Sequence, residues 1–197
     1  MIKRLFDIFF SVVGLILLLP VFIMISAAII MDSPGPVFFR QVRVGRHGKT
    51  FRILKFRTMI LNAEKNGPQI SSGNDPRITK VGSFLRKYKV DELPQLLNVI
   101  IGDMSLVGPR PEVPCYVEIF KDEYDLILTI RPGMTDYASL KFKDENELLK
   151  SSNNPEQKYI DEILPVKIEY YKCYLSEQSL FTDIRLIIRT LIGIFRR

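Results

Sequence analysis

The sequence predicts a small, α-rich α+β domain behind an N-terminal membrane element, and three observations carry that prediction. From Leu5 to Met31 the only strongly polar side chains are Asp7, Ser11 and Ser26. Between Val37 and Phe56, two short runs rich in aromatic and β-branched residues flank a turn at Gly45–Gly48. Beyond Lys80 the pattern is helical, with no long alternation of strand and helix to build a doubly wound sheet. The expected division is residues 1–33 as a re-entrant helix-break-helix and 34–197 as one folded domain closed by an amphipathic helix. A chain of 197 residues suits one core plus an attached element rather than two cores.

Lys3 and Arg4 give the apolar run a basic start, but no small-x-small cleavage site follows, and the run is too long for a signal core. A straight helix over Leu5–Met31 would measure about 40 Å, enough to cross a hydrocarbon core of about 30 Å with tilt. Pro20 near its middle removes a backbone donor and predicts a kink. Basic residues lie on both flanks, Lys3 and Arg4 before, then Arg40, Arg43, Arg46 and Lys49 after. Lys and Arg favour the cytoplasmic side, so a hairpin that turns at Pro20 and leaves on the face it entered fits better than a tilted single pass. Both arrangements stay open at this point.

Pro34-Gly35-Pro36 ends the membrane element, and Val37–Phe39 and Thr50–Phe56 read as strands. In the second strand Phe51, Ile53 and Phe56 are expected to line an apolar face opposite a basic one. Pro68–Arg77 is a turn-rich loop. Helices are expected at Lys80–Lys89 and Leu93–Ile101, the second opened by Pro94, whose missing N–H suits a first turn, and ended by Gly102. Met104–Val107 is short and extended; Glu112–Leu128 and Pro155–Tyr174 are helical. In Ser179–Arg197 the positions Leu180, Ile184, Ile187, Ile188, Leu191 and Ile194 recur every three or four residues beside Arg185, Arg189, Arg196 and Arg197. That pattern fits an interfacial helix and a core-packing helix equally.

Charge is local. Pro34–Val90 holds thirteen Lys or Arg against Glu64 and Asp75, whereas Glu112–Tyr170 holds thirteen acids against seven bases. A basic stretch directly after an apolar one points to phosphate in some form. His47 is the only histidine, which excludes a Ser-His-Asp triad, an HExxH site and any multi-histidine metal cluster. Cys115 and Cys173 are too few and too far apart for a zinc site or a disulfide framework, and fit a reducing cytoplasm. Chemistry must fall to carboxylates, lysines or tyrosines.

Three segments supply such groups. Asp91-Glu92 precedes the helix that Pro94 opens, with Arg86, Lys87 and Lys89 within two turns. Acids in a first turn commonly do no more than complement the helix dipole. Among cations, however, they stay ionised, and an ionised aspartate can attack phosphorus. Two adjacent carboxylates near a pyrophosphate also suit Mg²⁺, which takes few protein ligands and fills its octahedron with water and phosphate oxygens. Gly108-Pro109-Arg110-Pro111 and Arg131-Pro132-Gly133 each hold an arginine between or beside prolines, which presents a rigid bidentate fork for phosphate. Lys55-Phe56-Arg57 adds a basic strand end that fits phosphate binding or a solvated edge.

Taken in order, these segments resemble the bacterial sugar transferase family, the monotopic phosphoglycosyl transferases that start glycan assembly on undecaprenyl phosphate. The resemblance rests on Lys3–Asp7, Gly35–Gly45, Phe51–Met59, Asp75–Arg86, Asp91–Leu96, Gly102–Pro111 and Arg131–Gly133, segments spread over about two thirds of the chain. It implies that residues 34–197 form a catalytic domain on the cytoplasmic face of a bacterial inner membrane. Asp91 would attack the β-phosphate of a nucleoside diphosphate sugar, a UDP-sugar by expectation, and release the nucleoside monophosphate. Polyprenyl phosphate would then take the phospho-sugar. Glu92 would complete a dyad that holds Mg²⁺ or handles a proton, and Lys55, Arg57, Arg86, Arg110 and Arg131 would bind phosphates. The partners implied are the nucleotide sugar, polyprenyl phosphate, membrane lipids and downstream glycosyltransferases, not nucleic acid.

The chain departs from the family pattern in places. Leu19 stands where many relatives place a serine before the helix-breaking proline, and Met134–Leu140 replaces a tryptophan-containing segment. The multi-span module of larger relatives is missing, which implies a minimal catalytic form. The rival class, a non-catalytic basic protein binding anionic lipid or nucleic acid through Arg40–Lys89, has no use for an acidic pair inside its cationic surface.

Overall fold

The computed structural model describes residues 1–63, 75–143, 145–150, 152 and 154–195. Most of the loop expected over Pro68–Arg77 lies outside these residues, as do Glu64, Arg196 and Arg197. Among the described residues helices dominate, and the strands form two short pairs.

Helix α1 runs from Ile2 to Asp32 as one 31-residue element with Pro20 inside it. The break expected at Pro20 is therefore not a break in the helix; one lost backbone donor is outweighed by the regular turns on either side. Both ends of α1 are fastened to the same globular body. At the start, Lys3 pairs with Asp183 at 2.5 Å and Arg4 donates to the carbonyls of Val99 and Ile100 at 2.6 and 3.0 Å. Asp7, buried, accepts from the Ser105 hydroxyl at 2.8 Å and the Leu106 N–H at 3.2 Å. At the far end Phe22 packs edge-on against Phe56, Ile29 is buried, and Asp32 accepts from the Val81 N–H at 2.9 Å. Between these ties Ile16, Leu17, Leu19, Ile23 and Met24 are exposed, an apolar stripe that no other described residue covers.

Strands β1 (Phe38–Val44) and β2 (Thr50–Phe56) pair antiparallel, Phe38 opposite Phe56 and Val44 opposite Thr50. The expected single apolar face of β2 is corrected here. Period-two alternation puts Phe51, Ile53 and Lys55 on one side and Phe56 on the other. Ile53 packs with Val99 and Met104, while Phe56 packs with Ile29 and Leu85, so the hairpin has apolar contacts on both faces. Helix α2 (Lys80–Lys87) leads through Lys89, in the left-handed region, to a 3₁₀ turn at Val90–Glu92 and then α3 (Gln95–Ile101). From α3 the buried Asn98 accepts from the Leu54 N–H and donates to the Arg52 carbonyl, both at 2.9 Å, which satisfies backbone on the β2 edge. Gly102, left-handed, ends α3 as expected.

Strand β3 (Ser105–Val107) pairs in parallel with β4 (Gly133–Thr135), and helices α4 (Pro114–Ile119) and α5 (Lys121–Ile127) lie between them in sequence. The single helix expected over Glu112–Leu128 is thus divided at Phe120. Helices α6 (Tyr137–Lys141) and α7 (Glu145–Lys150) follow. Then α8 (Pro155–Lys158) passes through a π-turn at Tyr159–Ile163 into α9 (Leu164–Glu177). The main core gathers Tyr124, Ile127, Leu164, Ile168 and Tyr171. Helix α10 (Leu180–Phe195) packs one face against the domain, as a core-packing helix does, and leaves an apolar face exposed. Asp183 and Leu186 face inward, with the Tyr174 hydroxyl donating to Asp183 at 2.6 Å, while Phe181, Ile184, Ile188, Leu191 and Ile192 form an exposed outer stripe.

Candidate active site

A cleft of about 880 Å³ opens between the β1–β2 hairpin, the 3₁₀ turn and the helices after β3. Asp91 and Glu92 lie on its wall because the left-handed Lys89 reverses the chain after α2 and the 3₁₀ turn tightens it before Pro94. The expected dyad is present, but its members differ. Glu92 is gripped: Lys55 Nζ lies 2.7 Å from Oε1, and Arg110 forks onto both oxygens, Nη2 on Oε1 and Nη1 on Oε2 at 3.2 Å. Burial alone would raise the Glu92 pKa, but Arg110 and Lys55 outweigh it and hold the carboxyl well below its ordinary value. The Glu92 carboxylate in turn raises Arg110, while burial lowers Lys55.

Asp91 is 9% exposed and has no hydrogen bond or ion pair among the described residues. Burial, then the neighbouring Glu92 charge, push its pKa up to about 6, against the pull of Lys55, Arg86 and Arg110. It is still mostly ionised at pH 7, and a carboxylate held by no partner is free to act as a nucleophile.

Arg86 reaches the cleft beside Asp91, its Nε donating to the Thr58 hydroxyl at 2.8 Å. That pairing depends on Gly82: a Cβ there would fall 2.0 Å from the Thr58 carbonyl oxygen, so α2 crosses the chain after β2 at backbone contact. Arg110 is presented by the loop after β3. Gly108 N–H donates to the Thr135 carbonyl at 3.0 Å and Gly133 N–H to the Pro109 carbonyl at 2.8 Å, which pins the two proline segments together.

Two expected phosphate binders are not brought to the cleft. Arg57 is 5% exposed, and its guanidinium donates to the carbonyls of Pro34 and Ser33 at 2.6 and 2.7 Å, which caps the end of α1. Arg131 donates through Nε to the Gly102 carbonyl at 2.8 Å, at the end of α3. Helix C-termini carry carbonyls without internal partners, and both arginines answer that demand. The sequence reading did not single out Thr58, Glu112, Tyr159, Lys167 and Tyr171, all on the cleft. Glu112 was signalled by its place directly after the Gly108–Pro111 segment; the others sit in helical or loop sequence with no local mark.

The model of the bacterial sugar transferase family matches residues 1–197. The chain belongs to that family. It is 47% identical over 122 residues to a Bacillus subtilis (strain 168) protein provisionally named as an undecaprenyl-phosphate N-acetylgalactosaminyl 1-phosphate transferase, covering 62% of this chain and 68% of that one. Identity is 36%, over 96% of this chain, to an Aeromonas hydrophila UDP-N-acetylgalactosamine-undecaprenyl-phosphate N-acetylgalactosaminephosphotransferase. It is 35%, again over 96%, to the UDP-glucose:undecaprenyl-phosphate glucose-1-phosphate transferase of Escherichia coli (strain K12). The chain spans 43% and 39% of the length of these last two relatives.

Proposed function

We propose that this chain transfers a phospho-sugar from a UDP-sugar to a polyprenyl phosphate by two displacements on Asp91. An Asp91 oxygen attacks the β-phosphorus of the donor, the bond from that phosphorus to the bridging oxygen breaks, and UMP leaves with the bridging oxygen. A phosphate oxygen of the lipid then attacks the phosphorus of the aspartyl phospho-sugar. The phosphorus–Asp91 bond breaks, the carboxylate is restored, and a polyprenyl diphosphate sugar is released. The observation that carries this reading is the contrast in the dyad: Glu92 is saturated by Lys55 and Arg110, whereas among the described residues Asp91 has no hydrogen bond or ion pair, though cations surround it. Arg110, Lys55 and Arg86, which share the cleft with Asp91, would stabilise the charge that develops on the phosphoryl oxygens.

The donor set accommodates Mg²⁺ through Asp91 alone, because the Glu92 oxygens already accept from Arg110 and Lys55. Bound there, the ion would neutralise charge on the pyrophosphate. Glu92 then acts by fixing Arg110 and Lys55 rather than as a metal ligand.

The apolar stripe of α1 and the outer stripe of α10 support a seat in the cytoplasmic leaflet of the inner membrane, with the cleft at headgroup depth. Because both ends of α1 are tied to one body, the helix enters and leaves on one face. Cysteines placed at positions 3 and 46 are expected to resist a membrane-impermeant thiol reagent in intact cells; labelling of position 3 alone would mean the helix spans.

The mechanism is tested without lipid. Enzyme and UDP-sugar should give about one equivalent of UMP and a phospho-sugar adduct mapped to Asp91 by mass spectrometry. Asp91→Asn should abolish both. Its fold should be unimpaired, and at pH 7 no less stable, because a buried carboxyl whose pKa is raised costs stability as pH rises through its ordinary value toward 6. Absence of UMP until lipid is added would point instead to direct attack by the lipid phosphate.

A further inference from the structure

The Gly108–Pro111 segment must stand in one place for Arg110 to fork onto both Glu92 oxygens. Its prolines restrict the local backbone, but a stiff segment still moves as a unit unless both of its ends are tied. Before Arg110 the ties go to β4, through Gly108 to the Thr135 carbonyl and through Pro109 to the Gly133 N–H. After Arg110 they go to β1. Val44 N–H donates to the Glu112 carbonyl at 2.9 Å, and Arg43 Nη1 donates to the Pro111 carbonyl at 3.1 Å. Pro111 is buried and lacks an N–H, so that carbonyl is its one polar backbone group, and leaving it unpaired would be costly. The Arg43 guanidinium is itself braced: Nε and Nη2 both donate to Gln41 Oε1, at 3.2 and 2.7 Å. Gln41 lies two positions back on β1 and so shares a face with Arg43. Glu112 Oε2, 3.5 Å from Nη1, balances the charge, and the other Glu112 oxygen accepts from the Tyr159 hydroxyl at 2.6 Å. All three Arg43 nitrogens are thus engaged by the protein, which sets it apart from a cation kept for substrate.

We propose that Arg43 is a positioning residue for Arg110: it fastens the Arg110 loop to the β1–β2 hairpin and so fixes the spacing of the two cations that grip Glu92. The inference rests on the two-displacement reading above, in which Arg110 and Lys55 stabilise the transferred phosphoryl group. Lys55 belongs to β2 and stands opposite Phe39 of β1, so Lys55, Phe39 and Arg43 share one face of the hairpin. Arg110 belongs to a separate loop after β3, and Arg43 joins that loop to the strand pair that carries Lys55. Without the tie, the loop keeps its bonds to β4 and swings about them. A misplacement of about 1 Å at a group that meets the reacting atoms costs up to about a hundredfold in rate. A bidentate contact is the more sensitive to it, because both of its bonds must align together.

The test uses the full chain with a UDP-sugar and polyprenyl phosphate, reads UMP release, and carries Arg110→Lys as its reference. Arg43→Lys keeps a cation beside Glu112, so its melting temperature should stay within about 3 °C of wild type. It loses the planar fork that bridges Gln41 and the Pro111 carbonyl. Its kcat should fall about tenfold to thirtyfold while KM stays within about threefold, because a displaced Arg110 is felt where charge develops rather than in donor binding. Combined with Arg110→Lys, it should slow the reaction no more than about threefold beyond Arg110→Lys alone, since the brace has nothing left to position. Gln41→Leu removes the acceptor that braces Arg43 and alters no charge. It should lower kcat about threefold, and it decides the matter where Arg43→Lys folds poorly. Losses that multiply in the double variant would mean that Arg43 acts on substrate itself, and would overturn the proposal. So would a rise in KM with kcat unchanged, or a melting temperature that falls while kcat of the folded enzyme stays at the wild-type value. Full activity in Arg110→Lys, or no UMP from the wild type on any donor, would sink the parent reading and this proposal with it.

Discussion

Arg110 and Arg131 have nearly the same sequence surroundings, a guanidinium held by proline and glycine, and opposite fates. Their segments lie side by side, because β3 and β4 pair in parallel and each loop bonds the backbone of the other. Arg110 turns into the cleft and forks onto Glu92, whereas Arg131 turns to the end of α3 and donates to Gly102. The Arg131-Pro132-Gly133 segment supports the loop that presents Arg110. Proline clamping therefore marks a fixed backbone, and only the direction of the side chain decides which arginine reaches the cleft.

The largest effect that would break this comparison is at Arg110. Arg110→Lys should lose about a hundredfold in kcat/KM, because a point charge cannot grip both Glu92 oxygens. Near-normal turnover would reduce Arg110 to the status of Arg131. The charge itself is read by pH. In the wild type the acid limb should fall tenfold per unit below about pH 6, as Asp91 protonates. Arg110 lowers the Asp91 pKa, so Arg110→Gln should move that limb to higher pH; a limb that stays in place would separate Arg110 from the nucleophile.

Gly133→Ala tests the shared scaffold. Its Cβ would fall 2.0 Å from the Gly108 nitrogen, so the paired loops must part. A loss of about 3 kcal/mol in stability is expected, with activity lost as the Arg110 loop shifts. A melting temperature within about 2 °C of wild type would show that the two loops do not depend on each other. The smallest effect is at Arg131: Arg131→Lys should change kcat/KM less than threefold, since a lysine still reaches the end of α3. A loss comparable to that of Arg110→Lys would bring Arg131 back as a phosphate ligand.

Much of the architecture was legible along the chain. The Gly45–Gly48 turn between β-rich runs marked the hairpin, Gly102 marked the end of α3, and the apolar run marked α1, because each is a local preference of backbone or composition. Pro20 misled as to continuity: a proline removes one donor, and whether the helix continues is settled by its neighbours. Phe56 misled as to faces, since strand parity separates it from Ile53. At the site, Asp91, Glu92 and Arg110 were legible as residue types that suit phosphoryl transfer, and Lys55 and Arg86 as nearby cations. Arg57 looked no different from Lys55 two positions before it, yet it caps α1, because β2 has ended and the chain has turned toward Pro34.

By itself the sequence determined which groups are available: one acidic pair among cations, two proline-held arginines and an apolar segment basic at both ends. The tertiary structure decided how those groups divide the work. It placed Lys55 and Arg110 on Glu92 and, among the described residues, gave Asp91 no hydrogen bond or ion pair, so that one carboxylate is engaged and the other is not. It brought Tyr171, 80 positions from Asp91, into the same cleft. Contacts of that separation depend on how α9 packs against the loop after β3, and no local preference of the chain encodes which side chain of a helix will face a cavity built by distant elements.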